Sequence, residues 1–242
     1  MPESVTAAII NFHFAHNFGA VLQAVALRHQ LESLGCSTQV IDYRPRAHAQ
    51  VYAPLPNPII SAIWRYRGAA AVGAPPTTAV HLAARHAARA LSEWPQVNRR
   101  RRRLRQFRAY AREHLNLTQS YRSLASLRRD PPDADIYIAG SDQIWNPGVT
   151  GGLDPAYFLC FGAENVIRAA YAVSCPSLDV GRFRDDLRRL SCRLAPISLR
   201  EKHSRLELSA ALGREITVCP DPTLFVEADE WLRFSDPVQP VS

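Results

Sequence analysis

Apolar positions along the chain alternate between two rhythms. "VTAAIINF" (5–12) is a short, nearly unbroken apolar run, which predicts a strand covered on both faces. "HFAHNFG" (13–19) is polar and closes on glycine. From residue 20 to 35 the spacing changes. Ala20, Ala24, Leu27, Leu31 and Leu34 recur in three- and four-residue steps, which predicts a helix that Gly35 ends. "STQVIDY" (37–43) returns to strand character before Arg44 and Pro45. A strand, glycine-bearing loop, helix and strand in succession form a βαβ unit, so these two strands should be parallel.

The pattern loosens between 46 and 98. Prolines at 54, 56, 58, 75, 76 and 95 punctuate alanine-rich and aromatic pieces, and a helical insertion is predicted over 46–100. "NRRRRRLRQFRAYAREHLNL" (98–117) carries Leu104, Phe107, Ala111 and Leu115 on one narrow face and reads as a helix. After Pro131 and Pro132, "ADIYIAG" is a third predicted strand. A loop with "AYFLCF" (150–165), a strand at 165–174, a helix at 182–194, a strand at 195–201, a helix at 202–213 and a strand at 215–222 complete the series. Such alternation predicts an α/β fold with a Rossmann-like, doubly wound parallel sheet.

Open parallel sheets bind ligands beyond the carboxyl ends of their strands. The residues at those ends are therefore the candidate chemistry. Strand one is followed by His13, His16, Asn17 and Gly19, with Gln23 one turn into the helix. The third predicted strand is followed by Gly140, Ser141, Asp142, Gln143, Trp145 and Asn146. Later strands end at Ser174, at Arg200 and Glu201, and at Asp221 and Thr223. Gly19 would let an anion approach the amides of a helix N-terminus, or Asn17–Gly19 is simply a turn and helix start. His13 and His16 are a base or metal pair, or incidental. No third ligand accompanies them, and no metal is expected. Arg200 is suited to a phosphate or carboxylate, or pairs with Glu201. Trp145 is a sugar-stacking platform or a core anchor.

Composition narrows the class. The chain has 242 residues, 47% of them apolar and 21% charged, a globular balance large enough for a substantial core. Residues 1–10 have no basic and apolar leader pattern, and no run of about 18 uncharged apolar residues occurs. The five cysteines, at 36, 160, 175, 192 and 219, form no CxxC pair, which suits reduced thiols and a cytoplasmic protein. The net charge is +7, and nearly all basic residues are arginine, Lys202 being the only lysine. This favours anionic partners. The run Arg99–Arg105 is a solvated helix face or a peripheral contact with an anionic membrane or lipid carrier. No nucleic-acid motif accompanies it, so nucleic acid is not expected.

Taken in order, these segments resemble the polysaccharide pyruvyl transferase family. "HNFGAVLQAVALRHQLESLG" with "VIDYRP" is similar to the family's opening, and "DIYIAGSDQIWNP" to its most distinctive segment. "AYFLCF", "RAAYAVS", "ISLRE", "DPTLF" and "EW" (230–231) then follow in the family's order. The family's aromatic-glycine continuation after "YAVS" is replaced here by Cys175-Pro176.

The resemblance implies the N-terminal domain of a GT-B-like fold, with residues 1–228 forming that domain. It implies an interdomain linker starting at 229–242 and a second domain outside the chain. It also implies transfer of a pyruvyl group from phosphoenolpyruvate to two sugar hydroxyls, giving a cyclic ketal on a polysaccharide or a lipid-linked glycan precursor. Acid–base groups and an anion clamp suffice for that chemistry, and no cofactor is demanded. By analogy with the family, Arg200 would hold phosphoenolpyruvate, and Asp142, with Gln143 and Asn146, would serve sugar hydroxyls or proton transfer. Gly140, Ser141, Ser174 and Glu201 would complete the substrate wall. A nucleotide-sugar glycosyltransferase and a non-catalytic interaction module are the alternative readings.

Overall fold

A computed structural model describes residues 4–92 and 94–234. Seven strands are described: β1 (Thr6–Ile10), β2 (Ser37–Tyr43), β3 (Leu117–Tyr121), β4 (Ile136–Ala139), β5 (Ile167–Val173), β6 (Ile197–Leu199) and β7 (Thr217–Val218). They form one sheet in the order β3-β2-β1-β4-β5-β6-β7. Every neighbouring pair is parallel, with Ala8 opposite Gln39 on β2 and Ile9 opposite Ile138 on β4. This is the Rossmann-like α/β architecture expected.

The helices are α1 (Phe18–Ser33), α2 (Arg46–Val51), α3 (Pro58–Ala71), α4 (Pro76–Ser92), α5 (Val97–His114), α6 (Leu124–Arg129), α7 (Pro147–Thr150), α8 (Arg184–Ser191), α9 (Arg205–Leu212) and α10 (Ala228–Arg233). Because β1 alternates across the sheet, its side chains feed two cores. Ala7 and Ile9 pack with Val21 and Val25 of α1 and with Phe107 and Ala111 of α5. Ala8 and Ile10 join Leu127 of α6, Leu187 and Leu190 of α8, and Leu208 of α9. Both faces of the sheet are thus covered, which explains why β1 is a continuous apolar run.

One strand departs from the sequence expectation. The helix predicted over 98–117 ends at His114, and β3 follows it. Asn116 takes a left-handed φ of +45° and its Nδ2 donates to the Thr38 carbonyl at 2.7 Å, which turns the chain from helix into strand. Leu117–Tyr121 (LTQSY) lies at the sheet edge with much of its surface exposed, so it lacks the apolar run that marks the inner strands.

The insertion is helical, as predicted. Helices α3 and α4 pack together, and α3 rests on α7 through a close backbone approach. A Cβ placed on Gly68 would stand 2.3 Å from the Gly148 carbonyl oxygen. Nearby, Trp64 Nε1 donates to the Val149 carbonyl at 3.0 Å. The insertion is thereby fastened to the segment following β4. At the other end of the described chain, α10 returns to α1, where His29 Nε2 meets Glu230 at 3.0 Å and Trp231 packs on the α1–α5 core.

Candidate functional site

The strand order reverses direction between β1 and β4, and the carboxyl ends of these strands define the crevice where such sheets bind ligands. Gly140 ends β4 there. Its amide donates to the Ile10 carbonyl at 3.0 Å, and a Cβ would touch the Ile9 and Leu27 side chains at 3.4 Å, so this position faces the core.

Asp142 lies at the mouth of this crevice. Its Oδ1 accepts the Gln143 amide at 2.7 Å and caps the short turn Gln143–Trp145, while its Oδ2 is enclosed with no hydrogen-bond partner. Burial pushes its carboxyl up to about 6, against the opposing pull of the Gln143 amide and of Arg200. A carboxyl with that pKa holds or releases a proton near neutral pH.

The rest of the segment is built into the fold. Asn146 Oδ1 accepts the Gly148 amide at 3.0 Å, capping α7, and its Nδ2 donates to Gln143 Oε1 at 2.9 Å. Trp145 is fully buried, donates Nε1–H to the Tyr157 carbonyl at 3.0 Å, and stacks on Phe158 with ring centroids 4.5 Å apart. Its surroundings are those of a core anchor. The "AYFLCF" motif supplies the other half of that packing, with Tyr157, Phe158 and Leu159 all buried.

Across the crevice, β5 and β6 contribute a connected polar cluster. The ladder between them is irregular from Ala170 to Val173, and Ala172 adopts a left-handed φ of +47°. That bulge leads the chain to Ser174, whose amide donates to the Asp142 carbonyl at 2.9 Å and whose hydroxyl donates to Glu201. Glu201 also accepts the Cys175 amide at 3.2 Å. Arg200 Nη1 stands 2.9 Å from Asp221, its Nε 3.6 Å from Glu201, and the Ser141 hydroxyl donates to the same Asp221 oxygen at 3.2 Å. Four of the predicted residues, Ser141, Ser174, Arg200 and Glu201, thus meet in one network, and the Arg200 side chain keeps 32% of its surface exposed. The network includes Asp221, one of the strand-end residues. Arg200 is already paired with carboxylates, so an incoming anion would have to compete with Asp221 for it.

The residues after β1 play varied parts. Asn17 caps α1 by accepting the Gly19 amide at 2.9 Å, so this stretch is a helix start on the exposed surface. Gln23 is buried, donates to the Ala20 carbonyl at 3.0 Å, and leaves Oε1 without a partner. His13 is buried and donates from Nε2 to Asp42 at 2.9 Å, while Arg44 pairs with the same carboxylate. Burial lowers the His13 pKa despite that bond, so the ring is neutral near pH 7. Burial and the arginines 108, 44 and 103 lower His16 to about 4. Among the described residues no group of three or more His, Cys, Asp or Glu side chains is placed to hold a metal ion.

A cavity of about 720 Å³ opens beside these groups, on the β2–β3 side of the crevice. Arg44 follows β2 and Arg122 follows β3. Arg46, Arg67 and Arg108 reach in from α2, α3 and α5, and Tyr52 and Trp64 add aromatic surface. Sequence reasoning missed it. Arg44 follows the second predicted strand but is not among the strand-end candidates, Arg122 becomes visible only once β3 is recognised, and the other three come from the insertion and α5. The run Arg99–Arg105 lies largely exposed on α5, and among the described residues no helix is long and apolar enough to cross a membrane.

Fold and crevice together define a Rossmann-like α/β protein with a buried carboxyl at its topological switch point and a guanidinium–carboxylate network beyond β5 and β6. The family to which it belongs is polysaccharide pyruvyl transferase, a transferase family whose model matches residues 17–241. No curated protein and no solved structure matches the chain.

Proposed function

We propose that this protein transfers the pyruvyl group of phosphoenolpyruvate to two hydroxyls of a sugar in a polysaccharide or its precursor. The observation that carries this reading is the family match across residues 17–241. The chemistry balances without a redox step. One sugar hydroxyl adds its oxygen to C2 while a proton is delivered to the methylene carbon, which becomes a methyl group. The second hydroxyl then forms the other C–O bond as the C2–phosphate bond breaks. One hydroxyl proton ends on carbon and the other on phosphate, leaving a cyclic ketal and inorganic phosphate.

The crevice supplies groups suited to those steps. Asp142, with its pKa raised to about 6, is the proposed proton carrier. Arg200 is the proposed donor clamp, because a guanidinium matches phosphate and carboxylate in two-point contacts. Ser141, Glu201 and Asp221 position it, and Ser174 ties Glu201 to the Asp142 strand end. Gln143 is proposed to face the acceptor hydroxyls, and Gly19 to leave room for substrate. No metal or organic cofactor is needed for these steps. The family resemblance further leads us to propose that residues 1–228 form one half of a GT-B-like cleft, with a second half supplying the rest of the donor site. Phosphoenolpyruvate is an intracellular metabolite, so the proposed reaction belongs in the cytoplasm, at the inner membrane face if the acceptor is lipid-linked.

The test is to incubate the protein, as its gene encodes it, with phosphoenolpyruvate and candidate glycans. Phosphate release matched by ketal formation is expected. Turnover of a nucleotide sugar with no use of phosphoenolpyruvate would contradict the reading.

A further inference from the structure

The cavity beside the crevice has an unusual charge balance. Five arginines line it, at 44, 46, 67, 108 and 122, and no aspartate or glutamate does. Arg44 is paired with the buried Asp42. The side chains of Arg46, Arg67, Arg108 and Arg122 make no hydrogen bond or ion pair with any described residue. Five guanidinium groups gathered around one open space repel one another unless an anion enters it. The crowding is felt within the protein, since burial together with Arg44, Arg112 and Arg122 lowers the Arg108 pKa.

The shape adds a second constraint. About 720 Å³ is far more room than a lone phosphate needs and is typical of sites for small organic ligands. Beside Arg67, α3 contributes apolar surface to the wall through Ile60, Ile63 and Trp64. A ligand that satisfies both walls has an anionic end and a larger, less polar body. Position supplies a third constraint. Phe14 and His16 follow β1, Arg44 follows β2 and Arg122 follows β3, and all four line the cavity. The cavity therefore lies beyond the same carboxyl edge of the sheet as Asp142, which follows β4.

We propose that this arginine cavity binds the phosphate or diphosphate of the sugar acceptor, so that the substrate is a phosphate-activated glycan precursor and not a finished neutral polymer. The acceptor part of this statement rests on the pyruvyl-transfer reading; the anion site does not. Arg46, Arg108 and Arg122 grip the phosphates, and the attached sugar extends toward Asp142. Two sources share this chemistry, a soluble nucleotide-linked sugar and a lipid-linked one.

The first measurement is calorimetric titration of inorganic pyrophosphate into the protein at fixed ionic strength. Saturable binding is expected, weakened about tenfold or more in the Arg108→Glu/Arg122→Glu variant. Arg108→Gln/Arg122→Gln, which removes charge without reversing it, should show a loss in the same direction with an unchanged melting temperature. No binding, or binding indifferent to both variants, overturns the proposal. The second measurement compares pyruvyl transfer to one sugar presented free, as a nucleotide diphosphate and as a lipid diphosphate in detergent micelles. Preference for either phosphorylated form supports the proposal and names the source. Equal transfer to the free sugar overturns it while leaving pyruvyl transfer intact. Pyrophosphate binding lost in the variants, with no transfer to any acceptor, would keep the anion site and remove the reaction.

Discussion

Arg200 Nη1 stands 2.9 Å from Asp221 Oδ2, and that same oxygen accepts the Ser141 hydroxyl at 3.2 Å. The proposed donor clamp is thus held in place by the carboxylate it would have to leave. Arg200→Ala is expected to raise KM for phosphoenolpyruvate by about ten- to a hundredfold, the scale of hydrogen bonds to charged groups. Asp221→Asn keeps an acceptor for the Thr223 amide, which Oδ1 now caps at 3.0 Å, but removes the competing charge. KM for phosphoenolpyruvate should fall in that variant. A rise matching that of Arg200→Ala would show instead that Asp221 is needed to aim the guanidinium.

Asp142 leaves a signature in stability as well as in rate. Its carboxyl titrates near 6 in the folded protein against 3.8 ordinarily, so between those values the native state holds a proton that the unfolded chain has released. Its contribution is therefore fully present below about pH 4, falls as pH rises, and is lost above about pH 6. Asp142→Asn abolishes this dependence. Urea unfolding of both proteins from pH 4 to 7.5 should show the variant gaining on the native protein across that window, by up to about 3 kcal/mol. A difference independent of pH would contradict the raised pKa. The rate should rise or fall across the same window if Asp142 moves the proton.

The contact between α3 and α7 reverses a general rule. Replacing glycine by alanine within an exposed helix normally gains about 1 kcal/mol. At Gly68 the added methyl would stand 2.3 Å from the Gly148 carbonyl oxygen, so the helix must move away. Gly68→Ala is expected to cost about 1–3 kcal/mol. It should also speed proteolysis within 46–92, because the insertion would lose its seat on α7. Unchanged stability and cleavage would contradict that packing.

Arg168 is a structural counterpart to the arginines of the cavity. It is 2% exposed, and its guanidinium donates to four backbone carbonyls, those of Leu159, Phe161, Ala163 and Val166. It also lies over the Tyr137 ring, 5.6 Å from its centroid. One fork thereby satisfies a whole loop, and lysine, a point charge, cannot reproduce it. Arg168→Lys should lose about 2–4 kcal/mol in chemical denaturation. A loss within about 0.5 kcal/mol of zero, the range of an ordinary surface change, would contradict this role.

Much of this architecture was legible because its cause is local. The residues predicted for the second strand, 37–43, are those of β2, since a short stretch with Thr38, Val40, Ile41 and Tyr43 between a glycine stop and a proline leaves little freedom. The βαβ unit at the start set the parallel pairing of β1 and β2. Ser141, Ser174, Arg200 and Glu201, singled out as strand-end residues, meet in one network. What escaped depended on distant partners. β3 is an edge strand whose polar residues show no buried rhythm until β2 pairs with it. Both roles of Trp145 fitted its place in the chain, and only the packing of Phe158 against its ring describes it as an anchor. The arginine cavity joins residues from 44 to 122, and no spacing along the chain could announce it.

Movement of a pyruvyl group from phosphoenolpyruvate to a sugar can be followed directly on its carbon. Phosphoenolpyruvate carrying 13C at C2 should be incubated with the protein and a panel of free and diphosphate-linked sugars, and the products followed by 13C NMR. A labelled quaternary ketal carbon bearing a methyl group is expected, appearing in step with inorganic phosphate and suppressed in Arg200→Ala. Label that stays in phosphoenolpyruvate, or that reaches the sugar as an enol ether still carrying its methylene carbon, would contradict it.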